Sequence, residues 1–501
     1  MKEFRARPAG YTQLLERHGL RVPKLRRRSE LRNDTAARRR EPPEGDVEIE
    51  SFPSSFDRGD DDFDHLVFAL KYDGIELALL KRIFLATDRH ALAHRIAASP
   101  TSKYGRRLFY LFELLTGERL ELPDAPPQSP VPVLEPDKHY TAAGRPSLRH
   151  RVIDNLLGDA RFCPIVRRTA TLDRFDALGL DQRAATLVRE ADPSLLARAI
   201  GYLYTKETKS SFAIEHEEPG NREERFVANL ATIGTLRLDD EASLTELQNS
   251  IVDPRYREAG FRKPGEREVW IGETLGGWRE RVHHIGARSG STPTLMAGWL
   301  AMRRVEGPGA ALVEAATKAF AFVFIHPFGD GNGRIHRLLI HHVLAQRGYL
   351  PRSLIAPISA VIAGDLARYD AVLEQFSARV LPCVDYRFEK RDADTTLIIT
   401  NDPDDFHRYP DLTVQCEATF GWLQRAIEED LVREIDFLRR FDELRARMRE
   451  IVDMPDRKEQ LFVKVVLDNK GKLAKRKREL FAELDDATIT ALEAVFAEVM
   501  G

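Results

Sequence analysis

The fold is constrained most by a break between two helical patterns. Ala311 to Ile325 is a nearly continuous apolar run, long enough for a buried helix rather than a strand. Ile335, Leu338, Leu339 and Val343 then recur at helical spacing, so a second helix begins near Asn332 or Gly333. Between them lies a short turn with Gly329, Gly331 and Gly333 at alternate positions. Glycines so placed let the backbone take positive φ and come close to another group. N–H groups that turn into a helix N-terminus form a site for anionic oxygen. Arg334 and Arg337 are three apart and project from one side of that helix's first turns. A histidine, a carboxylate, a backbone nest and two guanidinium groups within one loop point to phosphate chemistry. A dinucleotide fingerprint needs a preceding strand and G-x-G-x-x-G spacing, and an EF-hand loop needs a ligand where Arg334 stands; neither fits.

The stretch His326-Pro327-Phe328-Gly329-Asp330-Gly331-Asn332-Gly333-Arg334-Ile335-His336-Arg337 resembles the Fic-domain signature His-x-Phe-x-Asp-Gly-Asn-Gly-Arg-x-x-Arg, matching every defined position. The resemblance implies a mainly α protein with an all-helical core, in which this loop joins two helices and binds ATP with Mg²⁺. It further implies transfer of AMP to a hydroxyl side chain (Ser, Thr or Tyr) of a target protein. An unperturbed imidazole is substantially neutral near pH 7, so His326 suits a general base, the role the resemblance also gives it. Asp330 would hold Mg²⁺, which prefers one or two carboxylates plus phosphate oxygens. Asn332 and the N–H groups of Gly331 and Gly333 would line the hole for the α- and β-phosphates. Arg334 would reach the β-phosphate and Arg337 the γ-phosphate. Phe328 is read as a core anchor, and His336, His341 and His342 as packed or surface histidines. Similar proteins that phosphorylate instead carry lysine where this chain has Gly333, so the glycine favours nucleotidyl transfer over kinase activity.

Ser210-Ser211-Phe212-Ala213-Ile214-Glu215-His216 resembles the family's inhibitory helix, (Ser/Thr)-x-x-x-Glu-(Gly/Asn), with Ser211 and Glu215 in the defined places. The resemblance implies that Glu215 pairs with Arg337, displaces the γ-phosphate and holds the enzyme back. His216 departs from the Gly/Asn pattern.

The chain's 501 residues have room for two to four domains. Residues 1–64 are expected to be an extended or partly ordered segment, with Arg26 to Arg28 and Arg38 to Arg40 facing acidic neighbours from Glu41 to Asp62. Residues 65–200 form a helical N-terminal region, with helical spacing extended through Val152, Leu156 and Leu157 and a proline-rich strap at 124–137. Residues 201–385 carry the core. Within it, 268–272 and 281–286 around Gly276-Gly277 predict a β-hairpin. Similar proteins use such a flap to hold a target segment by strand addition. Residues 386–501 are expected to be a C-terminal helical or winged-helix-like module.

A net charge of −3 gives no global argument for nucleic acid or a membrane. The basic runs at 21–40 and 472–478 are read as solvated faces ahead of nucleic-acid arms. Cys163, Cys383 and Cys416 are far apart, with no CxxC. No run of about 18 apolar residues predicts a membrane span. The polar N-terminus lacks the apolar core of a secretory signal, so a reducing cytoplasm is expected. Because similar proteins often regulate through dimers, a homodimer stays open. Two alternatives also stay open: removal of AMP using Glu215, and a nucleotide-sensing regulator whose C-terminal module binds DNA or protein.

Overall fold

In a computed structural model, the structure describes residues 6–45, 47–275, 279–351, 354–391 and 394–500. The protein is mainly α, and one hydrophobic core runs from Tyr11 to Ile435. Its centre is the helix Ala310–Ile325, most of whose side chains are buried. It packs along the helix Asn332–Gln346, and together they make the helix–loop–helix that the apolar pattern predicts. His326, in left-handed conformation with φ 57°, ends the first helix, and Pro327 prevents its continuation. Gly331, with φ 88°, opens the second.

Across this pair lies the long helix Pro193–Ile214. Asp192 caps it by accepting from the N–H groups of Ser194 and Leu195, with Pro193 in the first turn. Its middle is pinned by Glu207, which is fully buried and pairs with His341 Nε2 at 2.9 Å and the Ser359 N–H at 2.8 Å. A buried carboxylate so held is costly to uncover, so this helix stays fixed while its C-terminal end stands over the loop.

The predicted hairpin is present, with Trp270–Leu275 antiparallel to Arg279–Ile285 and a bulge between Val282 and His284. Its Gly276-Gly277 turn lies outside the described residues. A second hairpin, Tyr386–Arg391 with Asp394–Ile399, stands beside it through Trp270 on Phe388, ring centroids 5.2 Å apart. The sequence reading did not find this second hairpin.

Three expectations need correction. Residues 1–64 are not an extended segment: Arg7–Ala9, Arg27–Arg32, Val47–Pro53 and Arg39–Glu44 form a four-stranded sheet in that order. The opposed charges serve the sheet, because Arg27 meets Glu48 at 2.8 Å and Arg28 meets Glu44 at 3.0 Å across the strands. Ser29, Leu31 and Phe52 turn inward. Val152, Leu156 and Leu157 do not lie on a helix; Val152–Asp154 is a strand followed by irregular chain to Thr169. All three are buried, which explains how they imitated a helical stripe. Of the two C-terminal alternatives the helical one holds: from Val432 to Met500 the module is a small helical bundle with no strand among its described residues. It also begins later than 386: residues up to Ile435 belong to the main core. Leu444 to Val499 form a separate cluster, joined to the core by the helix Val432–Ile451. None of the described helices is long and apolar enough to cross a membrane.

Candidate active site

The loop is built to stay in one shape. Phe328 is fully buried against Phe261, centroids 5.3 Å apart, and such burial contributes about 2–3 kcal/mol. Asn332 clips the turn shut, its Oδ1 accepting from the Phe328 N–H at 3.1 Å and its Nδ2 donating to the Phe328 carbonyl at 2.7 Å. Its side chain therefore braces the loop. Asp330 accepts from the Gly331 N–H at 2.6 Å and from Arg334 at 2.9 Å.

His326 is buried where the apolar helix ends. Its Nδ1 lies 3.1 Å from the Val323 carbonyl. A carbonyl only accepts, so Nδ1 carries the proton and Nε2 keeps its lone pair. Burial, then the charge of Arg262, push this imidazole down to about 4, so it is neutral across the physiological range. The geometry is that of an oriented, neutral base.

The two arginines are almost wholly buried, at 1% exposure each, and both are already engaged. Arg337 donates to Ser211 Oγ at 3.0 Å, to the Ser211 carbonyl at 2.7 Å and to Glu215 at 2.8 Å. Burial pushes the Glu215 carboxyl up, but Arg337 and then Arg334 outweigh it and hold it below the ordinary range. Arg334 meets Glu217 at 2.9 Å, and Arg222 joins Glu217 at 2.7 Å. Both carboxylates come from the end of the Pro193–Ile214 helix. There the Glu217 N–H reaches back to the Phe212 carbonyl and the His216 N–H to that of Ala213, a Schellman turn with His216 at φ 55°. The Glu215 carboxylate lies directly over Gly333, where any Cβ would collide with it. His336 packs on Phe320 at 4.5 Å, and His341 and His342 are bonded inside the core.

The structure thus brings His326, Asp330, Gly331, Asn332, Gly333, Arg334, Arg337, Ser211 and Glu215 to one place. Sequence reasoning missed Glu217, Glu258 and Arg262. Glu258 accepts from the Gly329 N–H at 2.6 Å, and burial pushes its carboxyl up. Glu217, two residues past Glu215 across a turn, was the one with a readable signal; the other two come from a loop with no periodicity.

Two cavities lie in this region, one of them lined by the loop. One, of about 850 Å³, opens beside Gly329 and Asp330 and is walled by residues 255–270. The other, of about 240 Å³, lies between the hairpin (Ile271, His283, His284), Phe324, Asp370 and Leu373. Among the described residues no cluster of three or more His, Cys, Asp or Glu could hold a metal unaided. Asp330, one-third exposed at the loop's mouth, is a hard-oxygen donor that suits Mg²⁺ arriving with phosphate oxygens.

Comparison with known proteins adds to this geometry. Residues 239–344 match the Fic/DOC family. A solved Fic family protein from Desulfovibrio desulfuricans G20 is 19% identical, with 53% of this chain and 76% of that one covered and a TM-score of 0.38. A Fic domain containing signaling protein from Bacteroides thetaiotaomicron VPI-5482 is 17% identical, covering 54% and 97%, with a TM-score of 0.34. Glu215 and Glu217 lie before the matched span, whereas the whole signature from His326 to Arg337 lies inside it, so residues 239–344 carry a Fic/DOC domain.

Proposed function

We propose that the protein is an adenylyltransferase that moves AMP from ATP to a Ser, Thr or Tyr hydroxyl of a target protein. The observation that carries this reading is the pair of carboxylates on two buried arginines, Glu215 over Gly333 against Arg337 and Glu217 against Arg334. An anion already occupies the cradle, so the cradle is an anion site that the chain itself fills. In the released state the β- and γ-phosphates of ATP replace Glu217 and Glu215 on Arg334 and Arg337. His326 Nε2 takes the proton of the target hydroxyl as its oxygen attacks the α-phosphorus. The bond to pyrophosphate breaks, pyrophosphate leaves, and the imidazole passes its proton to solvent. Mg²⁺, held by Asp330 and the phosphates, would offset charge on the leaving group. The 240 Å³ pocket offers apolar walls for a base and the Asp370 carboxylate for a ribose. The exposed Ile271 and Leu275 of the hairpin suit a target strand.

Wild type, Glu215→Gly and His326→Ala are incubated with Mg²⁺ and ATP labelled at the α- or the γ-phosphate. α-Label on protein, raised in Glu215→Gly and absent in His326→Ala, is the expected result. γ-Label would instead mean phosphorylation. Release of AMP from a modified protein, lost in Glu215→Gly, would favour the reverse reaction.

A further inference from the structure

Arg262 lies outside the motif, yet it binds the catalytic loop from behind. Its guanidinium is buried, at 4% exposure. Nε donates to the His326 carbonyl at 3.0 Å, and Nη2 to the carbonyls of Ala287 at 2.7 Å and Ile325 at 3.3 Å. Nη1 meets Glu268 at 3.4 Å, and Glu268 also accepts from the Ser289 N–H at 2.8 Å. The Arg262 backbone N–H donates to the Pro327 carbonyl at 2.9 Å. One side chain therefore joins the approach to the hairpin (Glu268), its exit (Ala287) and the end of the apolar helix (Ile325, His326).

These bonds answer a local problem. A helix end leaves carbonyls without intrahelical partners and carries partial negative charge. The base sits on that end in a left-handed conformation that costs a non-glycine residue about 1–2 kcal/mol. A planar guanidinium supplies several fixed donors to such carbonyls at once, which a lysine cannot do. Gly286 completes the fit, because a Cβ there would stand 2.9 Å from that of His326.

We infer that Arg262 is a positioning residue: it fixes the His326 imidazole and ties it to the hairpin, so that the base and a strand-held target hydroxyl share one frame. The part concerning the target hydroxyl rests on the AMP-transfer reading; the part concerning the imidazole does not. The charged and titratable groups around His326 are Arg262 behind it, Glu215 from the covering helix and His284 on the hairpin, with His407 beyond His284. Arg262 is the cation closest in effect to the ring, so removing its charge makes protonation of His326 easier.

The test uses Arg262→Gln and Arg262→Lys, each in the full chain with Glu215→Gly. Arg262→Gln is expected to lower kcat for α-label transfer about 10- to 100-fold, with the KM for ATP within about twofold. It should also move the acid limb of the rate profile, and the His326 imidazole titration followed by NMR, to higher pH. Arg262→Lys keeps the charge and is expected to keep the titration while recovering part of the rate. A folded Arg262→Gln protein whose titration and rate are both unchanged overturns the inference. If no variant transfers label yet the titration moves, the placement of the imidazole stands and the transfer reading falls. If Arg262→Gln does not melt cooperatively, Arg262→Lys decides: a rate equal to that of the parent overturns the inference.

Discussion

The loop from His326 to Arg337 and the helix tip from Phe212 to Glu217 face each other, and they are held in different ways. The loop is clipped to itself and bonded from outside, with Asn332 bonded twice to Phe328, Phe328 sunk in the core, and Arg262 and Glu258 on its backbone. The tip is held by what it touches: Glu215 and Glu217 remain about one-third exposed, and His216 takes a conformation that favours glycine. On the proposed reading, a preformed anion site is covered by a strained, partly exposed tip that ATP displaces. On this view the helix need not leave. Glu207 keeps its middle buried while the last turn gives way.

The largest effect expected is on the loop side. His326→Ala should lower label transfer about 10²- to 10⁴-fold, the range of a lost general base. Its pH behaviour is a sharper check. The imidazole titrates near 4 when folded, below its ordinary value of about 6.5. Between those values the unfolded chain binds a proton that the folded chain does not, so stability falls as pH drops through that window. The base itself stays neutral there. The rate should therefore be flat from pH 8 to pH 6, and a half-maximum near 6.5 would contradict the geometry.

Asn332→Ala tests how much of the hold comes from the loop's own clip. Two buried backbone groups of Phe328 would lose their partners, at a cost of about 1–3 kcal/mol seen as a lower melting temperature. Transfer should fall along with it. An unchanged melting temperature would mean that Arg262 and Glu258 hold the loop without the Asn332 clip.

Removing the tip's carboxylates should do the reverse and raise transfer. Glu215→Gly is expected to raise it about tenfold, within the usual span of coupling between sites. Glu217→Gln alone should give a smaller rise, because Arg334 keeps Asp330 as a partner. Since the two carboxylates sit on different arginines, the double variant should exceed either single one. A double variant no faster than Glu215→Gly would leave Glu217 as a bystander.

How much of this was legible beforehand follows the same division. The loop could be read because its chemistry is contiguous: the glycines, Asp330 and both arginines stand within a dozen positions of one chain segment. Ser211 and Glu215 could be read because one helix turn fixes their spacing. Arg262 could not, because its work is done on carbonyls of Ile325 and His326, and backbone partners leave no trace in side-chain patterns. The N-terminal sheet was hidden by its charges, since arginines paired across strands look in one dimension like a solvated run. Val152, Leu156 and Leu157 misled because buried irregular chain can share a helix's spacing.

The smallest effect is the most specific to this chain. His216 stands where the family pattern has Gly or Asn, and the structure gives the physical reason for that pattern, a left-handed residue closing the turn. A side chain there costs about 1 kcal/mol, which weakens the turn that aims both carboxylates. His216→Gly should remove that strain and seat Glu215 and Glu217 more firmly. Basal transfer is then expected to fall about two- to fivefold, with a slightly higher melting temperature. In the Glu215→Gly, Glu217→Gln background the same substitution should leave transfer unchanged, because no carboxylate remains to be aimed. A fall of equal size in that background would mean that His216 acts on the target or the nucleotide directly, and the tip would not be the weak side of the site.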